Sequence, residues 1–249
     1  MKMGKVYLVG AGPGDPELLS IKALKILEKA NVVIYDRLVT RAILQLVPKQ
    51  AEKIYAGKRS GKHHISQDKI NEITIGEARK GKVVVRLKGG DPFLFGRGGE
   101  EAQELRKAGI QFEVVPGVTS ALAAPAYAGI PLTHRKFASS LTIVTGHEDP
   151  TKFENRVKWE KLATSVDTIV VLMGIKNLER IVERLLKGGR EPQTSIAIIE
   201  WGTTTNQRTT IGTLSNIALM AKERKVKAPA VIVIGDVVKL QKELSWFRR

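Results

Sequence analysis

The chain of 249 residues contains no cysteine. That excludes disulfides, thiol nucleophiles and thiolate metal sites together. Its four histidines, two of them adjacent as His63 and His64, offer little from which to build a zinc site, so no metal is expected. Aromatic residues make up only 5% of the chain, and no aromatic–glycine–aromatic motif for stacking RNA bases is present. No apolar run approaches the roughly 20 residues that span a bilayer, so no membrane partner is expected. The opening MKMGKVYLVGAGPGD leads into a glycine loop rather than a small-residue cleavage site, which argues against a signal peptide and for a cytoplasmic protein. Repeats and low-complexity segments are also absent.

What the chain does have is charge of one sign. Against 25 Asp and Glu stand 41 Lys and Arg, a net +16. A basic surface favours anionic partners. The cations are spread along the chain rather than gathered in an arm, so a small polyanion in a cleft fits at least as well as nucleic acid. Surface composition alone would look the same. The hydrophobic share of 43% and the length suffice for two modest domains with a real core.

The first half alternates strands and helices, which predicts a wound parallel α/β domain. A strand over Lys5–Val9 enters Gly10-Ala11-Gly12-Pro13-Gly14-Asp15. This is not a dinucleotide fingerprint, because the third glycine position holds Asp15 and Pro13 intrudes. Asp15 and Pro16 instead predict a helix start, followed by Leu18, Ile21, Leu24 and Leu27 at helical spacing. A second strand, Asn31–Tyr35, ends at Asp36-Arg37. An acid there sits where α/β sites gather, although a helix cap or a pair with Arg37 would also explain it. A third strand, Lys53–Tyr55, precedes the basic loop Gly57-Lys58-Arg59-Ser60-Gly61-Lys62-His63-His64. So many cations in one loop would repel one another unless an anion or carboxylates lie nearby. A helix is predicted over Gln67–Lys80.

The stretch Val83–Glu101, VVVRLKGGDPFLFGRGGEE, is a buried strand, a glycine turn with Asp91, a second turn at Gly96, Gly98 and Gly99, and a helix start. Glycine lets the backbone reach positive φ and lets a ligand approach. A tight turn without a ligand accounts for the pattern equally well. The strand Phe112–Val115 leads to Thr119-Ser120 and a small-residue segment over Ala121–Gly129. Periodicity is lost around Ile130–Ala138, which predicts a domain boundary there: residues 1–135 and 136–249. The second half has strands at Leu141–Thr145, Thr168–Met173, Ser195–Ile199, Gln207–Ile211 and Ala230–Ile234, with helices over Leu178–Leu186 and Leu214–Lys222. Glu148-Asp149 follow the first of these strands, and a charged stretch runs from Pro150 to Lys161. Met173-Gly174, Gly202 and Ala230 are read as small or flexible groups at strand ends. The expected fold is α/β, two α/β domains with a cofactor cleft between them.

Taken together, YLVGAGPGDPELLS, YDRLV, AGKRSGKHHISQDKIN, VVRLKGGDPFLFGRGGEE, VPGVTSALAAPAYAGIPLTHR and VTGH resemble the tetrapyrrole methylase family, in order and over nearly the whole chain. GAGPGDP and GGDPFLFGRG mark the wider family, which includes diphthine synthases, ribosomal-RNA 2′-O-ribose methylases and later precorrin methylases. YDRLV and the GKR loop with Gln67 resemble the branch that acts on uroporphyrinogen III. The resemblance implies a class III S-adenosylmethionine-dependent methyltransferase, a homodimer, that methylates uroporphyrinogen III at C2 and C7 to give precorrin-2. It implies cofactor contacts at Pro13, Gly89, Gly90, Asp91, Leu94 (commonly Ile in the family), Thr119, Ser120, Met173, Gly202 and Ala230. It places the proton acceptor on Asp36 and the proton donor on Lys58. The eight carboxylates of that substrate make Arg37, Arg59, Lys62, His63, His64 and Arg97 candidates for paired contacts. A later precorrin methylase and a ribosomal-RNA methylase are the alternatives. Because the chain starts at the first glycine strand, no dehydrogenase–ferrochelatase module and no fused uroporphyrinogen-III synthase are expected.

Overall fold

The structure is a computed structural model and describes residues 3–57, 65–147 and 156–247. Two units are present, Met1–Thr119 and Ser120–Arg249, each built on its own five-stranded sheet.

In the first unit the elements run β1 (Lys5–Gly10), α1 (Ile21–Leu27), β2 (Val32–Tyr35), α2 (Arg41–Gln45), β3 (Glu52–Tyr55), α3 (Gln67–Arg79), β4 (Val83–Lys88), α4 (Gly98–Lys107) and β5 (Gln111–Val115). The sheet order is β3-β2-β4-β1-β5 and every pairing is parallel. Side-chain alternation sorts the strands between two cores. Val9, Val33, Val85 and Leu87 pack with Ala23, Leu27 and Ile43 from α1 and α2. Val6, Leu8, Val32, Ile34 and Val84 pack with Ile70, Ala78, Ala102 and Leu105 from α3 and α4. The chain leaves β1 toward one edge of the sheet and leaves β4 toward the other. That change of direction makes the carboxyl ends of β1 and β4 the usual ligand position in such sheets.

The helix expected from Asp15 divides in two. Asp15 caps only a 3-10 turn, Pro16–Leu18, by accepting from the Glu17 N–H, and α1 begins after a second cap at Ser20, which accepts from Ala23.

The second unit runs α5 (Ser120–Tyr127), β6 (Leu141–Thr145), α6 (Trp159–Ser165), β7 (Thr168–Leu172), α7 (Leu178–Lys187), β8 (Ser195–Glu200), β9 (Arg208–Thr213), α8 (Ile217–Glu223), β10 (Ala230–Ile234) and α9 (Gln241–Leu244). Its sheet, β6-β7-β10-β8-β9, is mixed: β6 and β7 are parallel, and the other pairings are antiparallel. Ile169, Val171, Ile196, Ile198 and Ile232 pack against α6, α7 and α8. Val170, Ala197, Ile199, Val231 and Val233 pack against Ala121 and Ala124 of α5 and the turn at Val237-Val238.

Two expectations are corrected here. The units divide at residue 119, not 135, because the small-residue segment is helix α5 and its alanines complete the core of the second sheet. Ala230 is a strand start rather than a strand end. Because β10 runs against its neighbours, it stands opposite Glu200 at the end of β8, and Val231 stands opposite Leu172 at the end of β7. The reversal delivers Ala230 to the edge that also carries Met173 and Gly202.

Candidate active site

Three loops meet at the carboxyl edge of the first sheet because glycines let their backbones touch. A Cβ on Gly10 would lie 2.5 Å from the Gly117 nitrogen and 2.6 Å from the Gly90 oxygen, and one on Gly117 would lie 2.3 Å from that oxygen. Gly12 and Gly90 bond to each other in both directions, at 3.2 and 2.7 Å, and both have positive φ. The loops after β1, β4 and β5 thus form one platform that includes Pro13, Gly89, Gly90 and Asp91 and runs on to Thr119.

Asp91 is consumed in building that platform. Its Oδ1 accepts the N–H groups of Phe93 (2.8 Å) and Leu94 (3.1 Å), and its Oδ2 accepts that of Gly117 (3.0 Å). The carboxylate expected to face a cofactor ties the β4 loop to the β5 loop. Gly89 adds a further link, since a Cβ there would meet Leu38 Cβ at 2.5 Å.

Leu38 belongs to the turn that carries Asp36. Tyr35 pairs with Leu87, so Asp36 follows β2 at the level where Lys88 closes β4. Asp36 Oδ1 accepts the Leu38 N–H at 2.8 Å, and its Oδ2 has no hydrogen bond among the described residues. The end of β3 lies alongside: Ala56 N–H bonds to Tyr35 O at 2.7 Å, and a Cβ on Gly57 would sit 2.8 Å from the Arg37 nitrogen. The segment that enters the basic loop therefore starts beside Asp36-Arg37. Lys58, Arg59, Lys62, His63 and His64 lie outside the described residues, as do Glu148 and Asp149. Arg37 is exposed. Arg97 is exposed and paired with Glu100 through Nε at 3.1 Å, a bond that raises its pKa.

Strand β4, next to β2, buries two cations. Lys88 Nζ lies 2.9 and 3.0 Å from the two oxygens of Glu101, and Arg86 Nε lies 3.0 Å from the first of them. Burial pushes the Lys88 pKa down and the charge on Arg86 pushes the same way, while Glu101 and Asp36 pull it back up. Periodicity did not single out these groups, although two cations inside the apolar run VVVRLK were the visible signal.

On the edge of the second sheet, Met173 follows β7 with φ 57° and is 51% exposed, and Trp201 follows β8 with φ 49° and is 42% exposed. Left-handed backbone at large side chains costs about 1 kcal/mol or more and clusters at functional sites. Phe95 and Arg97, in the turn after β4, share this conformation. Gly202 packs against α5, where a Cβ would meet Ala124 Cβ at 2.4 Å. Ser120 opens α5. Among the described residues, no group of three His, Cys, Asp or Glu side chains is placed to hold a metal, and no helix is long and apolar enough to cross a membrane.

The sequence profile of the Tetrapyrrole (Corrin/Porphyrin) Methylases matches residues 5–218. The chain belongs to this family. Among curated tetrapyrrole methylases, it is 59% identical to the S-adenosyl-L-methionine-dependent uroporphyrinogen III methyltransferase of Methanosarcina barkeri, over 95% of this chain and 93% of that one. It is 56% identical to the uroporphyrinogen-III C-methyltransferase of Methanocaldococcus jannaschii, over 94% and 97%. Among solved structures, the uroporphyrin-III C-methyltransferase of Thermus thermophilus complexed with S-adenosylhomocysteine matches with a TM-score of 0.80 and 42% identity, over 95% of this chain and 100% of that one.

Proposed function

We propose that this tetrapyrrole methylase is an S-adenosylmethionine-dependent C-methyltransferase that converts uroporphyrinogen III to precorrin-2 by methylation at C2 and C7, for siroheme and cobalamin synthesis. The observation that carries this reading is the near-full-length likeness to relatives named for that activity. A cytoplasmic homodimer belongs to the same reading.

The residues present fit such a cofactor. The glycine loops offer backbone without side chains in the way, Thr119 and Ser120 offer hydroxyls, and Met173 offers an exposed thioether surface. In this reading Pro13, Gly89, Gly90, Leu94, Thr119, Ser120, Met173, Gly202 and Ala230 hold the cofactor, and Asp91 holds the loop that presents Gly89 and Gly90. When bound, S-adenosylmethionine supplies a strongly electrophilic methyl, which leaves the protein chiefly to align a carbon nucleophile.

Attack by a pyrrole carbon places positive charge on the substrate ring, which must then lose a proton. Asp36 Oδ2 is the acceptor in this reading, with Oδ1 held by the Leu38 amide so that the carboxylate keeps one orientation. Lys58 returns a proton or stabilises charge in this reading. Arg37, Arg59, Lys62, His63, His64 and Arg97 receive substrate carboxylates, Arg97 by exchanging its surface pairing with Glu100.

The test is anaerobic incubation with uroporphyrinogen III and methyl-labelled cofactor. Two labelled methyls per product are expected. Methylation only of a different precorrin, or only of ribosomal RNA, would replace this reading with one of the other family activities.

A further inference from the structure

The first unit buries three charged side chains. The side chains of Arg86, Lys88 and Glu101 are each at most 5% exposed. Two cations share one carboxylate, so the group is not internally neutral. Buried ion pairs of this kind are often replaceable by apolar residues without loss of stability, which makes stability a poor reason for them.

Their connections suggest another reason. Glu101, on α4, also accepts from Gln67 Nε2 at 3.0 Å, at the start of α3 where the chain returns from the basic loop. Arg86 Nη1 donates to the Ile34 carbonyl at 3.3 Å, which ties β4 to β2 two residues before Asp36. Lys88 is held by both Glu101 oxygens, directly follows Leu87, which pairs with Tyr35 just before Asp36, and directly precedes Gly89-Gly90. Of the groups facing Lys88, Arg86 is the other cation and Asp36 and Glu101 are the anions.

We propose that Lys88, locked by Glu101, is a positioning residue that holds the Asp36 carboxylate in the geometry for proton acceptance. The proposal rests on the reading of Asp36 given above. Lys88 contributes a fixed positive charge at the end of β4, and Glu101 contributes the rigidity of that charge. Arg86 and Gln67 hold Glu101 in turn.

The experiment compares wild type with Lys88→Met, Glu101→Gln, Asp36→Ala and the double variants, measuring turnover, S-adenosylhomocysteine affinity and urea midpoint. Wild-type dimethylation judges the parent reading separately. Given it, Lys88→Met is expected to lower kcat at least about tenfold, within the range general acid–base groups supply, with affinity changed less than about twofold. In the Asp36→Ala background, the same substitution should change residual turnover by less than about twofold, since the two act as a unit. Lys88→Met/Glu101→Gln should recover the urea midpoint lost in Glu101→Gln without recovering turnover. A folded Lys88→Met enzyme with near-wild-type kcat would overturn the proposal, and so would a double variant whose turnover returns with its stability. If Lys88→Met does not fold, Lys88→Arg decides: it keeps the charge and alters the geometry, so wild-type kcat there refutes positioning and a fall supports it.

Discussion

At the scale of single residues, two carboxylates at the ends of neighbouring strands differ in how far hydrogen bonding occupies them. Asp91 takes N–H groups from Phe93, Leu94 and Gly117, whereas Asp36, among the described residues, takes only that of Leu38. Asp91→Ala should therefore cost about 2–3 kcal/mol in urea unfolding and weaken S-adenosylhomocysteine binding together, because the charge-accepted bonds that fasten the loop platform are lost. Asp91→Asn should not rescue it, since an amide that accepts from Phe93 and Leu94 turns an NH₂ group toward the Gly117 N–H. Asp36→Ala should instead lower turnover about 10²–10⁴-fold with cofactor affinity nearly unchanged, which isothermal titration and labelled-methyl assays distinguish. Elsewhere the Thr168 and Thr210 hydroxyls are fully buried without a hydrogen-bond partner among the described residues. Thr210→Val keeps the shape and removes the unpaired group, so it should raise the urea midpoint, by up to about 1 kcal/mol. The acid at Asp91 was visible in the sequence, but its hydrogen-bond partners were not, because the three amides that occupy it come from two separate loops.

At the scale of elements, legibility tracks amphipathic contrast. Helices α3 and α7 were read to within a residue or so at each end because a polar face opposes an apolar one. Helix α5, SALAAPAY, has small apolar residues throughout and Pro125 within it, so it carries no period to read. Helix α6 buries only Trp159 and Ala163, four apart in a charged stretch. That helix is fastened to α7 by Glu160 and Arg184, with bonds of 2.8 Å from Nε and Nη2. The Arg184 guanidinium, with help from the backbone, lowers the Glu160 pKa from 4.5 to about 2. A carboxylate depressed in the folded state stabilises above its ordinary pKa, and that contribution drains away as pH falls toward the folded value. The gap in Tm between wild type and Glu160→Gln should therefore be constant above about pH 5 and close as pH falls from 4.5 toward 2, as followed by circular dichroism.

At the scale of the whole molecule, a net +16 faces an octacarboxylate substrate in the proposed reaction. The KM for uroporphyrinogen III should rise several-fold as ionic strength goes from about 0.05 to 0.5 M, while the KM for S-adenosylmethionine stays nearly level, because screening weakens only the interaction between large opposite charges. Steady-state kinetics at several salt concentrations check it. The sequence by itself determined the parallel first sheet, through strands alternating with amphipathic helices, and the glycine turns at its carboxyl edge, through residues that few other backbone paths would demand. It also carried the family motifs. Tertiary structure alone decided where the units divide, since Ala121 and Ala124 count as a core only once Val170 and Val231 lie against them. It alone decided the direction of β10, because a buried run such as AVIVI reads the same in either sense. And it alone brought Arg86, Lys88 and Glu101 onto one point. Local pattern encodes which face of an element is apolar, but a charge acquires its partner only when distant strands and helices close around it.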